Sequence, residues 1–391
     1  MKNKADEKWF EVLDFLQNEL PKRHKSLYFK ISEAEYRDQI QSLRNELNHL
    51  ENPVIKTEIA KIVASVRDAH TSIDIPVYYL CPLEFYWFSD GIYAVNTAKS
   101  DEVLRYKRIT HIDGVNIETV IEKMSTMISH ENHSYLTSLL PKYLPAIELL
   151  YGLQIARTVN GLTFTYENEG GYAGEWFVPS CPFPKYQEQL NGNRVVFPVD
   201  KLPLFRKNQD RYYWMEYLKE TKTIYFKYNI CKEMADESVQ AFGNRLLRAV
   251  RENEPEKLVI DMRNNTGGNS TLLDPFIDAL AECGHINQHG KIFVIIGRDT
   301  FSSALLNVYS LKNKTCAILV GEPTGGKPNC YGEVLRSKLE QSGLLISYST
   351  KYYHLTEDDL MPSLFPDVQK EYSIQDYIGL SDPCMEYICG R

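Results

Sequence analysis

From residue 221 onward, continuous apolar runs alternate with amphipathic segments. The runs TIYFKYN, KLVIDMR, KIFVIIG and CAILVGE are typical of strands that are buried on both faces. The segments between them, ESVQAFGNRLLRAVREN, STLLDPFIDALAEC and SSALLNVYSLKN, repeat apolar residues at helical spacing. This alternation predicts a parallel sheet covered by helices, which is an α/β fold.

The preceding part of the chain has two other patterns. Residues 6–70 contain three segments with helical spacing of apolar residues. From about 75 to 220, short aromatic and β-branched stretches predict strands, with helices at NIETVIEKMSTMI and near YLTSLLPKYLPAIELLYGL. The stretch 170–210, rich in Pro, Gly, Tyr and Lys, is interpreted as an irregular connection. The predicted divisions are a helical segment over 1–74, a PDZ-like or other small α+β module with a connector over 75–210, and an α/β core over 211–391.

Composition narrows the functional classes. The 391 residues carry a net charge of −8 without a basic stripe, which argues against a nucleic-acid partner. The N-terminus has no apolar signal region and no run is long enough to span a bilayer, so we expect a cytoplasmic protein, although a removed leader would be invisible. The eight cysteines are widely spaced and form no CxxC, which favours reduced thiols over a disulfide framework or a zinc site. Nothing in the sequence indicates an oligomeric state.

Three polar turns follow the buried strands: DMRNNTGGNS, RDTFSSA and GEPTGGKPNCYGE. Ligands of parallel sheets bind at the carboxyl ends of the strands, where these turns are expected to lie. Gly267 and Gly268 in the first turn allow close approach of backbone N–H groups to an oxyanion. Ser302 in the second turn is either a helix N-cap or a nucleophile, and the stretch taken alone favours the cap.

Two residues could serve as a base for Ser302. Lys327 lies in the third turn, 25 residues after Ser302, and acts as a base only if its surroundings favour the neutral amine. His70 lies in DAHT, and imidazole titrates near neutral pH. The HENH segment at 130–133 lacks the spacing of a helical zinc pair, and the chain has no GxSxG nucleophile motif.

Several of these segments resemble a known family. VIDMRNNTGG resembles the DLRxNxGG signature of the tail-specific, or C-terminal-processing, serine peptidases. TFSSA, GEPTGGK and the closing FPDV resemble further blocks of that family, in the family's order, over roughly residues 255–370. The resemblance implies a crotonase-like α/β core and a peptidase that cleaves polypeptides through an acyl-enzyme, without a metal or cofactor.

The resemblance also implies roles for single residues. Ser302 would be the nucleophile, Lys327 the base, and a glycine of the Gly267–Gly268 pair together with Ser303 would supply oxyanion-binding N–H groups. Related tricorn-type peptidases use a histidine instead, which makes His70 the alternative base.

Two further positions bear on how the base is oriented. Tyr331 stands where the family has a glutamine, and Glu357 begins an acidic cluster near the place of the tricorn-type glutamate, so both are candidate orienting residues. The alternative function is a non-catalytic relative that binds a hydrophobic ligand or a peptide, similar to the interphotoreceptor retinoid-binding proteins. An acyl-CoA enzyme with a crotonase-like fold is disfavoured, because no basic cluster lies near the glycine turn.

Overall fold

A computed structural model describes residues 4–168 and 170–390. The helices of this described part are α1 (Lys4–Asp14), α2 (Leu20–Arg23), α3 (Glu33–Glu46), α4 (Asn52–Ala64), α5 (Ile117–Ser125), α6 (His133–Tyr143), α7 (Ile147–Gly152), α8 (Phe183–Gly192), α9 (Val239–Asn253), α10 (Asp274–Ala281), α11 (Ser303–Lys314), α12 (Ile374–Gly379) and α13 (Pro383–Cys389). None of these helices is long and apolar enough to cross a membrane.

The strands are short, as is usual for a globular protein. They are β1 (Ser72–Asp74), β2 (Tyr79–Leu80), β3 (Leu83–Phe88), β4 (Gly91–Thr97), β5 (Arg108–Ile112), β6 (Val115–Asn116), β7 (Gly161–Glu167), β8 (Ala173–Pro179), β9 (Cys181–Pro182), β10 (Tyr213–Leu218), β11 (Thr223–Tyr228), β12 (Lys257–Asp261), β13 (Ile292–Ile296), β14 (Ile318–Gly321), β15 (Cys330–Lys338), β16 (Leu345–Tyr353) and β17 (Val368–Gln369).

The chain forms two compact units that do not follow its order. The first unit comprises residues 1–131, 139–195 and 330–353, and the second unit comprises 132–138, 196–329 and 354–391. The hairpin of β15 and β16 therefore returns to the first unit from late in the sequence. The three-part division expected from sequence patterns stays a prediction.

The second unit contains the sheet that the alternating pattern predicts. Its strand order is β10-β11-β12-β13-β14-β17, and every pair from β11 to β17 is parallel. All six residues of β11 and all five of β13 are buried, which explains why β13 is apolar throughout and β11 is apolar apart from Thr223 and Lys227. Side chains of α9, α10 and α11 share one apolar core with the sheet, including Phe242, Ile277 and Val308. The prediction of a helix-covered parallel sheet is confirmed.

The first unit combines helices with antiparallel strands. One sheet has the order β3-β4-β5-β7-β8, with β6 paired to β5, and α5 follows β6 directly. A second sheet has the order β1-β16-β15, and its residues Ile346 and Tyr348 pack against α1, α3 and α4 through Leu13, Tyr36 and Ile59. The helices predicted between residues 6 and 70 are thereby confirmed. The PDZ-like character of the antiparallel module stays a prediction.

The interpretation of residues 170–210 as irregular is wrong in part. Strand β8 pairs with β7 along its whole length, and α8 follows it. Only Val178 of β8 is buried, so the strand presents almost no apolar alternation from which it could be recognised. The segment near YLTSLLPKYLPAIELLYGL forms two helices, α6 and α7, rather than one.

A buried cluster of charges joins β11, β12 and α13 in the second unit. The Asp261 carboxylate accepts hydrogen bonds from Lys227 Nζ (3.1 Å) and Tyr225 Oη (2.7 Å). Arg263 also contacts Asp261 and forms a bidentate pair with Asp382 (3.0 and 2.9 Å). Burial alone would raise the pKa of Asp261, but the charges of Arg263 and Lys227 lower it to about 2. The cluster is stable because each buried charge has a partner of opposite sign.

We expect Asp261→Ala to lower the free energy of unfolding by about 3–5 kcal/mol, because it leaves the buried Lys227 without its counter-ion. The matched control is Glu256→Ala, which removes the exposed partner of Lys222 and should cost about 1 kcal/mol or less. Urea titration of both variants measures the difference. Equal losses would contradict the assignment of the cluster as a stabilising core element.

Candidate active site

Ser302 lies in the turn between β13 and α11, at the N-cap position of the helix. Its backbone angles are φ 54° and ψ −129°, a region that non-glycine residues rarely occupy. Its side chain makes no capping hydrogen bond, and the residue is half-buried. Ser302 therefore occupies the capping position without capping the helix, and the interpretation as an N-cap is wrong. A strained serine at a strand-to-helix turn is the arrangement in which nucleophilic serines are presented.

Hydrogen bonds of the two residues before Ser302 hold the strained turn. The Thr300 hydroxyl donates to the carbonyl of Met262 (2.9 Å) and accepts from the N–H of Gly297 (3.0 Å). The Phe301 N–H donates to the carbonyl of Asn265 (3.0 Å). The cost of the strained angles, about 1–3 kcal/mol, is offset by this surrounding structure.

The first turn of α6, which belongs to the second unit, supports the same turn. The ring of Tyr135 stacks on that of Phe301 with centroids 4.2 Å apart and an interplanar angle of 5°. Ser138 donates a hydrogen bond to Asp299. The side chain of Asn132 donates to the carbonyls of Gly325 (3.0 Å) and Pro362 (2.7 Å). The residue before Ser302 is thus fixed by stacking as well as by hydrogen bonds.

Gly267 lies so close to the serine turn that a side chain at its position would collide with Ser302. Gly267 has a φ of +106°, and a Cβ there would lie 2.8 Å from Ser302 Cβ and 3.0 Å from the amide nitrogen of Ser303. Gly268 has a φ of +136°, and a Cβ there would lie 2.2 Å from the Cys231 carbonyl oxygen. The structure therefore brings Gly267, Ser302 and Ser303 together.

The two glycines have different hydrogen bonds. The Gly267 N–H donates to Asn265 Oδ1 (2.9 Å), while the Gly267 carbonyl accepts from the Cys231 N–H (2.9 Å). Because the peptide is trans, the Gly268 N–H points away from that carbonyl. The Ser303 hydroxyl fixes the next peptide by donating to the Gly268 carbonyl (2.7 Å). In the part of the chain that the structure describes, the N–H groups of Gly268 and of Ser303, the first residue of α11, have no hydrogen-bond partner.

Asn265 organises this site, and the sequence interpretation missed it. Its buried side chain donates to the Tyr228 carbonyl (3.0 Å) and accepts from Gly267, and its carbonyl accepts from Phe301. One residue therefore joins β11, the glycine turn and the serine turn. The sequence signal that could have indicated Asn265 is its position between the charged Asp-Met-Arg segment and the two glycines.

Lys327 and Glu357 belong to the second unit. The turn before Lys327 is held against the serine turn, because the Gly326 N–H donates to the Thr300 carbonyl (3.1 Å). Lys327 is half-buried, and Glu357 is exposed. Within the described residues, neither side chain has a hydrogen bond or an ion pair. Their roles as base and orienting residue stay predictions.

His70 lies in the first unit, in the turn between α4 and β1, and is buried. Its main-chain N–H donates to Asp68 Oδ1 (3.0 Å). Burial lowers the pKa of His70, although the Asp68 charge and the backbone of Tyr331 partly oppose this effect. The roles of His70 as a base and of Tyr331 as an orienting residue stay predictions.

Asp68 is a second residue that the sequence interpretation missed. Its Oδ2 accepts hydrogen bonds from the hydroxyls of Thr71 (2.6 Å) and Ser349 (2.6 Å) in addition to the bond from His70 to Oδ1. It therefore joins the His70 turn to β16. Its position two residues before His70 in DAHT was the available signal.

Neither a protein-family model nor a curated protein matches the chain. Among solved structures, mature CPAF complexed with lactacystin has a TM-score of 0.66 at 16% identity, over 99% of this chain and 97% of CPAF. A serine-to-alanine mutant of CPAF has a TM-score of 0.68 at 14% identity, with the same coverage. The chain shares its fold with CPAF.

The CPAF likeness confirms a mixed α/β fold over the whole chain and agrees, at the level of fold, with the resemblance to tail-specific peptidases. The photosystem II D1 C-terminal processing protease has a TM-score of 0.42 at 12% identity, over 98% of this chain and 96% of its own. That score is too low to support a structural argument.

We expect Gly267→Ala to destabilise the protein more than Gly290→Ala. Both glycines have positive φ, so each alanine costs about 1–2 kcal/mol in backbone strain. Only the Gly267 site collides with its neighbours, because nothing lies within 4 Å of a Cβ at Gly290, and the collision should add about 1–3 kcal/mol. Chemical denaturation of both variants measures this. Equal destabilisation would show that the glycine and serine turns are not in close contact.

Proposed function

We propose that this chain is a serine peptidase that cleaves polypeptides through an acyl-enzyme on Ser302. The observation that carries the proposal is the conformation of Ser302, a strained residue at a helix N-terminus whose hydroxyl does not cap the helix. Strain of this kind is retained where the surrounding structure enforces it, and it is concentrated at reactive sites. The sequence blocks that resemble tail-specific peptidases support the same residue.

The oxyanion of the tetrahedral intermediate is assigned to the N–H groups of Gly268 and Ser303. Cys231 and Asn265 orient the glycine turn, and the Ser303 hydroxyl restrains the Gly268 peptide. Donors that are held in place before the reaction need no reorganisation as negative charge develops on the substrate oxygen. This preorganisation is the physical basis of the rate enhancement that we assign to the glycine turn.

The general base for Ser302 is either His70 or Lys327. His70 is buried, burial lowers its pKa, and its main-chain N–H donates a hydrogen bond to Asp68. Lys327 is half-buried and has none of these restraints among the described residues. A general base works best when its position is fixed and its proton affinity suits the working pH.

The reaction follows from these assignments. The base takes the hydroxyl proton as Ser302 Oγ bonds to the peptide carbonyl carbon, and the carbonyl electrons move onto oxygen. The intermediate collapses as the C–N bond breaks and the protonated base gives its proton to the leaving amine, which releases the C-terminal fragment. Water, deprotonated by the same base, then attacks the ester, and the acid leaves as Ser302 Oγ regains its proton.

We expect Ser302→Ala to reduce hydrolysis of fluorescein-labelled casein by about 10³-fold or more, because the acyl-enzyme cannot form. Ser303→Ala is the neighbouring comparison. It keeps its N–H but releases the Gly268 carbonyl, and should cost about 10-fold. Initial rates of fluorescence release measure both. Hydrolysis that survives Ser302→Ala unchanged would contradict the proposal and favour the non-catalytic alternative.

The pH dependence distinguishes the two bases. Because the pKa of His70 is lowered, the histidine stays neutral to lower pH than an ordinary one, and kcat/KM should decline only below about pH 6.5. His70→Gln should remove this acidic limb together with most of the activity, while Lys327→Met should leave the limb in place. Rates measured between pH 4 and 10 test this. A limb that disappears in the Lys327 variant would assign the base to Lys327.

A further inference from the structure

A second histidine contacts the carboxylate that holds His70. His24, at the C-terminal end of α2, places its Nε2 3.0 Å from Asp68 Oδ2. Both side chains are fully buried in the first unit. His24 is 44 residues before Asp68 in the sequence, so no local motif indicates the pair.

The hydrogen on the His24 ring is located by its other contact. The N–H of Ser26 donates to His24 Nδ1 (3.0 Å), so Nδ1 is an acceptor. The ring hydrogen then lies on Nε2 and is donated to Asp68. His24 thus supplies an oriented donor to the carboxylate.

The environment of the pair fixes the position of the His24 ring. Phe29 stacks parallel to it with centroids 6.4 Å apart, and the ring of Tyr331 packs at 5.2 Å. The main-chain N–H of Lys25 donates to the carbonyl of Ser349 (2.9 Å), which anchors the end of α2 to β16. The ring of Tyr331 therefore helps to fix the His24 ring.

Asp68 is a buried carboxylate whose charge needs these donors. Burial raises the pKa of Asp68, but the hydrogen bond from His24, the nearby His70, and the hydroxyls of Ser349 and Thr71 lower it below its usual range. A carboxylate that loses one donor in a buried site becomes easier to protonate. The His24 hydrogen bond is the largest of the contributions that lower the pKa of Asp68, so its loss should raise that pKa most.

We propose that His24 is a positioning residue for His70: by donating to Asp68, it fixes the carboxylate that binds the His70 main chain and faces the His70 ring. This inference rests on the proposed function with His70 as the general base, because it gives His24 an effect on that base. His24 does not touch the reacting atoms in this account. It acts through Asp68 alone.

The residues around the Asp68 carboxylate come from four parts of the first unit. They are His24 at the end of α2, His70 and Thr71 in the turn after α4, Tyr331 in β15, and Ser349 in β16. When the His24 donor is removed, the pKa of Asp68 rises and the carboxylate is protonated more easily. The charge of Asp68 raises the proton affinity of His70, so the titration midpoint of the His70 ring should move to still lower pH.

The test compares three substitutions of His24. His24→Gln carries an amide N–H at the reach of Nε2, His24→Asn carries the same amide nearer the backbone, and His24→Leu has no donor. We expect His24→Asn and His24→Leu to lower kcat by about 10- to 100-fold with KM nearly unchanged, as for other residues that orient a reacting group through a partner. His24→Gln should recover most of the loss. His49→Gln, at an exposed histidine of the same unit, is the matched control.

The second readout needs no catalysis. Protein labelled with ¹³C-histidine gives the titration midpoint of the His70 ring by NMR, assigned with the His70→Gln variant. The inference requires a lower midpoint in His24→Asn than in His24→Gln. Equal midpoints in these two folded variants would overturn it, because a merely structural residue would change stability without separating the two amides.

The two proposals fail in different ways. If the wild-type chain hydrolyses no peptide, the proposed function is contradicted, and the His70 titration still decides whether His24 acts through Asp68. If the wild type hydrolyses casein but the Gln and Asn variants titrate alike, the peptidase assignment stands and the His24 inference is wrong. Should His24→Leu not fold, the Gln and Asn pair alone gives the answer.

Discussion

The buried amide of Asn265 is the constraint on which the serine site depends. It binds the end of β11 and the glycine turn with its side chain, and it binds the residue before Ser302 with its carbonyl. A buried amide that lost one of these partners would leave polar groups unsatisfied, at a cost of about 1–3 kcal/mol each. The strained conformation of Ser302 and the orientation of the Gly268 amide therefore share one support, and neither is expected to persist without it.

The same physical device recurs around His70. A buried Asp68 carboxylate, satisfied by four donors, holds the main chain of the histidine. In each unit, a buried polar side chain fixes a reactive group through several short hydrogen bonds rather than through apolar packing. Such networks impose one geometry because a partly satisfied alternative is costly. This explains why residues far apart in the sequence are needed at each place.

Sequence patterns predicted the parallel sheet and its covering helices because period and burial agree there: β11 and β13 are apolar at almost every position and buried at all of them. The patterns failed at β8, because both faces of this strand are largely exposed and its sequence does not alternate between apolar and polar residues. They also failed to predict that β15 and β16 return to the first unit, because this depends on contacts between residues far apart in the sequence. Ser302 and the glycine pair were predicted from a strand-turn-helix pattern and a family resemblance. His24 and Ser349 could not be, since they reach Asp68 only through tertiary folding.

The conformation of Ser302 has chemical meaning only if its hydroxyl reacts, and this is tested most directly by a fluorophosphonate probe. The intact wild-type protein would be treated with the probe, digested, and the adduct located by mass spectrometry. The account predicts a single phosphonylated residue, Ser302, with Ser303 unmodified. A folded protein that carries no adduct, or carries it elsewhere, would contradict the central claim that this turn presents a nucleophile.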